Sequence, residues 1–263
     1  MKVRLGDIDV GYTVAGEGWP VVLIHGLAED RASWAHVQGE LTGYRSYAYD
    51  LRGHGETTLG EADGTLAQLG TDLARFLETV TGPATCVGYS LGGTVVLWAA
   101  AEHPALIRHV IVAGTSSIVG RTAAEFFEQR IRTIRENFPA FTGNLRSDTA
   151  AQLVAAPDEL DVVMKRRLAA IRDGGGYVNA AYAMKRLAGE PLTPILRRIT
   201  CRVDVIGGEK DAFCPRKAAD ILMSCLGSAE YHEIEGAGHL MSIDRPAAYA
   251  GAIKLSLDRS FQT

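Results

Sequence analysis

The chain has 263 residues, 47% hydrophobic and 22% charged, an ordinary globular composition with length for one large core or two modest ones. Its 27 Lys and Arg against 31 Asp and Glu leave a net charge of −4, too weak a bias to mark nucleic acid or an anionic membrane as the main partner. No apolar run approaches the roughly 18 residues of a membrane-spanning helix, and the first dozen residues lack the apolar stretch of a signal peptide. Cys86, Cys201, Cys214 and Cys225 show neither Cys-x-x-Cys nor Cys/His zinc spacing. The expectation is a cytoplasmic protein with reduced cysteines and no metal.

Residues 2–15 alternate around Gly6-Asp7 (Val3, Leu5, then Ile8, Val10, Tyr12, Val14), which predicts a β-hairpin. Short apolar runs then alternate with helix-like segments. The run 21–24 ends at His25-Gly26, 44–49 at Asp50, 85–87 at Gly88, 109–113 at Gly114 and 202–206 at Gly207-Gly208. Helical patterns cover 30–41, 65–81, 91–103 and 215–226. Strands apolar on both faces, each closed by Gly or Asp, are what a parallel sheet covered by helices requires, joined by right-handed crossovers.

Between 118 and 198 the strand rhythm stops. Phe126, Phe127, Ile131, Ile134 and Phe138 recur at helix spacing, Asn137-Phe138-Pro139 ends that helix, Asp158 is a candidate N-cap for the next, and Gly174-Gly175-Gly176 breaks it. An all-helical insertion between two strands reads as a cap over the sheet's carboxyl edge. The domain division expected is a core of 1–117 and 199–263 with a cap of 118–198. The cap segment carries 13 Lys and Arg against 9 Asp and Glu, so Arg130, Arg132, Arg135 and Arg172 are candidates to turn inward and hold an anionic group.

The chemistry centres on Gly88-Tyr89-Ser90-Leu91-Gly92, followed by Gly93. An apolar strand precedes it and a helix follows, so Ser90 sits at a sharp strand-to-helix turn with its hydroxyl exposed and a helix N-terminus beside it. A serine hydroxyl needs a base within hydrogen-bond reach, and the base needs an orienting partner. Of seven histidines, His239 in Gly236-Ala237-Gly238-His239 directly follows an apolar run and precedes a terminal helix. His25 and His54 also lie in strand-end loops, and His54 reads as a loop-fixing residue. Asp211, in Gly207-Gly208-Glu209-Lys210-Asp211, is the candidate acid, with Glu209 an alternative two residues earlier; residues 114–120 hold no carboxylate. Cys214 stands three residues beyond Asp211.

Taken together, VVLIHGLAED with Ser33-Trp34, YDLRGHGET, VGYSLGG, a helical segment, VIGGEKD and GAGHLMSIDRP resemble the small, capped, cofactor-free α/β-hydrolases over nearly the whole chain, in the order Ser, Asp, His. The resemblance implies a mostly parallel eight-stranded sheet with an N-terminal antiparallel hairpin, helices on both faces and a helical cap after the sixth strand. It also implies an oxyanion hole formed by the backbone N–H groups of Leu27 and Leu91. Ser90 excludes the branches that use an Asp nucleophile. The expected activity is hydrolysis of a small carboxylic ester or lactone through an acyl-enzyme, with no metal or organic cofactor. Alternatives are a C–C bond hydrolase or enol-lactonase of aromatic degradation, a non-turnover small-molecule receptor, and a tailoring enzyme for a carrier-bound acyl chain. The partner expected is a small molecule, with no nucleic acid and no membrane. His25, Trp34, Tyr89 and Met241 are candidates to line the substrate pocket.

Overall fold

The computed structural model describes residues 1–259. Strands β1 (Lys2–Leu5) and β2 (Ile8–Ala15) form the hairpin, followed by β3 (Trp19–Ile24), α1 (Ala35–Glu40), β4 (Tyr44–Tyr49) and α2 (Leu66–Phe76). Next come β5 (Ala84–Tyr89), α3 (Leu91–Glu102) and β6 (Ile107–Ala113). The helical segment holds α4 (Arg121–Glu136), α5 (Phe138–Gln152), α6 (Leu160–Ile171), α7 (Gly175–Arg186) and α8 (Thr193–Leu196). The chain then returns through β7 (Arg202–Gly208), α9 (Arg216–Ser224), β8 (Ala229–Ile234), α10 (Met241–Asp244) and α11 (Pro246–Arg259).

The strands make one eight-stranded sheet in the order β1-β2-β4-β3-β5-β6-β7-β8. The pairs β1–β2 and β2–β4 are antiparallel and the rest are parallel. Every residue of β5 is buried, as a central strand covered on both faces must be, whereas β8 at the edge keeps an exposed Glu230 and Glu233. One face packs on α2 and α3 through Leu69, Leu73, Phe76, Val95 and Leu97. The other packs on α1 and α11 through Val37, Leu41, Tyr249, Ile253 and Leu257. Helix α3 is apolar nearly all round because it lies in the interior. A third cluster (Ile131, Ile134, Phe141, Leu145, Met164, Ile171, Tyr177) joins α4 to α7 and touches the core at Ala28.

Three local expectations for the helical segment need correction. Asn137 both ends α4 and starts α5: its side chain accepts from the Ala140 N–H, and Phe138-Pro139 become the first turn, where proline's missing N–H costs nothing. Asp158 is not an N-cap; it lies in a short 3-10 turn, and Glu159 precedes α6 without a capping side chain. The glycine run does not break the helix: α6 already ends at Ile171 with Arg172 at φ +53°, and Gly174, at φ +87°, is the N-cap from which Gly175 and Gly176 begin α7.

Arg52 ties the loop after β4 to the core. It is 2% exposed and forms a fork with Asp72 of α2 at 2.8 Å on both arms, while also reaching Asp7 in the hairpin turn and the carbonyls of Leu59 and Glu61. A buried guanidinium so fully bonded fixes the loop that runs beside the sheet's carboxyl edge.

Candidate active site

In a parallel sheet the carboxyl ends of the strands share one edge, so residues just past β3, β5, β7 and β8 meet there regardless of their separation in sequence. Ser90 follows β5 and has φ +51°, ψ −117°, a conformation that L-residues rarely adopt. The turn is closed tightly enough that only glycine fits around it. A Cβ at Gly92 would stand 2.2 Å from the Ile24 carbonyl oxygen, and one at Gly88 would stand 2.4 Å from the Gly92 carbonyl oxygen. Although Ser90 occupies the N-cap position of α3, its hydroxyl makes no capping bond.

That hydroxyl lies 3.1 Å from His239 Nε2, and His239 Nδ1 lies 2.8 Å from Asp211 Oδ2. The other oxygen of Asp211 accepts the Phe213 and Cys214 N–H groups, both at 2.8 Å. Burial pushes the Asp211 carboxyl up, but the adjacent imidazole and these two amides outweigh it and hold the group below the usual carboxylate range. His239 is further fixed by its backbone carbonyl, which accepts from the Tyr89 hydroxyl at 2.9 Å, and by the Phe213 ring stacked on it at 5.5 Å. Ser90, His239 and Asp211 are therefore together. Glu209 is not with them; its carboxylate accepts the Gly236 N–H.

Leu27 and Leu91 flank the serine, Leu27 in a tight turn where the Glu29 N–H donates to the Gly26 carbonyl and Ala28 takes φ +62°. Both border a cavity of about 500 Å³ that opens over Ser90 and His239. Its walls are mostly apolar: Ile118, Val119, Phe126, Phe127, Leu145, Met184, Phe213 and Ile221, with Cys214 among them.

Of the four residues expected to line the pocket, Tyr89 does so. His25, Trp34 and Met241 are buried elsewhere. His25 is occupied by the fold, with Nε2 accepting the Leu51 N–H at 2.9 Å, while Trp34 stacks on Tyr249 and Met241 packs under the site in the α1–α11 core. His54 packs against His25 at 5.3 Å, and burial lowers the two imidazoles to about 3 and about 4 respectively, so both are neutral at pH 7.

The four candidate arginines do not point inward to a ligand. Arg130 forks onto Asp148, Arg135 reaches Tyr182, Arg172 donates to the Thr57 carbonyl and Arg132 is exposed. The inward arginine is Arg167, 5% exposed and lining the cavity. Its signal was in the helical period: Val163, Met164 and Ile171, three and four positions away, are all buried, so Arg167 stands on the apolar stripe of α6. Gln152, which also lines the cavity, was missed for the same reason.

A model of the alpha/beta hydrolase fold family matches residues 20–246. The chain belongs to the α/β-hydrolase family. This α/β hydrolase is 27% identical over 263 residues to 3-oxoadipate enol-lactonase 2 of Acinetobacter baylyi, covering 96% of this chain and 94% of that one. It is 26% identical over 258 residues to pyrrolizixenacetamide deacetylase of Xenorhabdus hominickii, covering 94% of each. Among solved structures, the enol-lactonase of Burkholderia xenovorans LB400 superposes with a TM-score of 0.88 at 22% identity, covering 98% of this chain and 100% of that one. An esterase of Thermogutta terrifontis gives 0.86 at 24% identity and 99% coverage of both. These structural likenesses carry the fold.

Proposed function

We propose that this α/β hydrolase is a serine hydrolase that cleaves a small carboxylic ester or lactone through an acyl-enzyme. The observation that carries the reading is the continuous Ser90–His239–Asp211 relay at the floor of an apolar cavity. Relatives named as an enol-lactonase and a deacetylase support hydrolysis at a carbonyl.

Ser90 Oγ attacks the carbonyl carbon while His239 Nε2 takes the hydroxyl proton. Asp211 keeps the imidazole oriented with Nδ1 protonated and stabilises the imidazolium. The Leu27 and Leu91 amides face the developing oxyanion, each contributing about 3–4 kcal/mol in a site closed to water, and the N-terminus of α3 adds its positive dipole. The tetrahedral intermediate collapses, and His239 gives its proton to the leaving alkoxide. A water, deprotonated by the same imidazole, then attacks the acyl-enzyme; collapse releases the acid and returns the proton to Ser90. Residues 118–198 serve as a cap domain over the core of 1–117 and 199–263, and a cytoplasmic setting fits the four free cysteines.

A panel of short nitrophenyl esters, lactones and thioesters tests the reading. Multiple turnover is expected on an oxygen ester or lactone. One slow turnover followed by a ligand-dependent change in thermal stability makes the protein a receptor and contradicts it.

A further inference from the structure

Arg167 is a buried cation whose hydrogen bonds run to neutral groups. No ion pair among the described residues includes it. Its bonds run to neutral acceptors: Nη1 to Thr149 Oγ1 and Nη2 to Gln152 Oε1, both at 2.7 Å. Its Nε–H is buried and has no partner among the described residues. Burying a charge is unfavourable unless an opposite charge and full hydrogen bonding offset it, and here neither is complete.

The neighbouring carboxyls are otherwise engaged. Asp148, in the same cavity wall, is neutralised by the Arg130 fork, with both arms at 2.7 Å. Glu29 lies close enough to interact with the Arg167 charge, but its carboxyl accepts the Gly26 N–H and is not hydrogen-bonded to the guanidinium. Lys217 adds a second cation at the exposed rim. The cavity thus offers an apolar wall with one unsatisfied, rigidly held guanidinium, and Thr149 and Gln152 fix its plane. Each Nη keeps one N–H beyond those given to Thr149 and Gln152, and a planar guanidinium held at a cavity wall suits a planar carboxylate.

We propose that Arg167 is the centre of a carboxylate-binding subsite, so that the ester or lactone cleaved carries an additional ionised carboxylate on its acyl or its leaving-group side. This deepens the serine-hydrolase reading and rests on it for the reaction, though not for the binding.

The test uses the purified full chain, Arg167→Met, and the Ser90→Ala background in which binding is measured without turnover. Two matched ester pairs place the charge on either side: mono-4-nitrophenyl adipate with 4-nitrophenyl hexanoate, and 4-acetoxybenzoate with p-tolyl acetate. In at least one pair, Arg167→Met is expected to lower the ratio of anionic to neutral kcat/KM by about 10- to 100-fold, the effect of losing one charge-assisted hydrogen bond. Adipate or p-toluate should raise the melting temperature of Ser90→Ala and not that of Ser90→Ala with Arg167→Met.

If both esters of each pair lose rate equally, or if the melting temperature of Arg167→Met falls with no change in the ratio, Arg167 is a packing residue and the subsite is overturned. Larger shifts with inorganic phosphate or phenyl phosphate than with the carboxylates also overturn it. Turnover of neither pair by the unaltered protein, with Arg167-dependent stabilisation by carboxylates, leaves the subsite standing and removes the hydrolase reading instead. Should Arg167→Met not fold, Arg167→Lys keeps the charge but loses the fork, and the same ratio decides.

Discussion

Strand β7 carries an Asp–His array toward each end, and the two differ in what their last partner is. Toward the amino-terminal end, Asp204 is fully buried, with His109 Nε2 at 2.6 Å, His232 Nε2 at 3.1 Å and Arg202 Nε at 2.9 Å. Just past the other end, Asp211 is 4% exposed, with His239 Nδ1 at 2.8 Å and then the Ser90 hydroxyl. Burial raises both carboxyls, and their partners outweigh it and hold both below the usual range. Asp204 is surrounded by cationic and imidazole donors that end in protein. Asp211 passes its influence through one imidazole to a hydroxyl that opens on a cavity. The same elementary pair therefore staples strands at one place and, in the proposed mechanism, activates an oxygen at the other, and what decides is the neighbour beyond the histidine. Asp204, Glu230 and His232 bring ligand atoms within 4.8 Å of one another, as a metal site would, but Arg202 pairs with both carboxylates and Arg259 with Glu230. Those cations already supply the charge that a metal ion would bring.

The sharpest way to break this contrast is to cut each array. Ser90→Ala is expected to lower kcat on the best ester of the panel by on the order of 10⁵-fold or more. Asp211→Asn keeps the shape but favours the wrong imidazole tautomer, and about 10⁴-fold in kcat is the expected loss, read by steady-state kinetics. Asp204→Asn should do the reverse. It leaves His109, His232 and Arg202 around an uncharged amide, which is expected to remove about 3–5 kcal/mol of stability in urea titrations. Its kcat should stay within about 3-fold of the unaltered protein. A large kcat loss in Asp204→Asn with unchanged stability would erase the distinction.

A smaller effect comes from the buried imidazoles of His25 and His54. Folding lowers His25 to about 4 and His54 to about 3, against about 6.5 in the unfolded chain. The unfolded chain therefore binds protons first, so the stability present above about pH 6.5 is lost as pH falls toward these folded values. Between pH 6.5 and 5, before ordinary carboxylates titrate, unfolding free energy should drop by about 2–4 kcal/mol, and His54→Phe should flatten the slope. A flat profile over that interval would show the two rings to be unburied or unshifted.

Much of this was legible in the sequence because strand ends announce themselves. Apolar runs closed by glycine gave the parallel order, and parallel order puts Ser90, Asp211 and His239 at one edge. What was not legible was rotation. Trp34, His25 and Met241 sit inside or beside the motifs, yet their side chains turn into the core beneath the site rather than into the cavity. Lys165, Arg166 and Arg167 are consecutive cations, and only the burial of Val163, Met164 and Ile171 tells which one faces inward. Asn137, expected only as a helix end, is also the N-cap of the next helix.

The central claim is that Ser90 is an activated nucleophile, and intact-mass analysis after exposure to a serine-reactive fluorophosphonate tests it most directly. One adduct per chain, mapped to the peptide containing Ser90, lost in Ser90→Ala and strongly slowed in His239→Ala, is the result expected. An unmodified chain, or an adduct elsewhere that survives Ser90→Ala, would contradict the account.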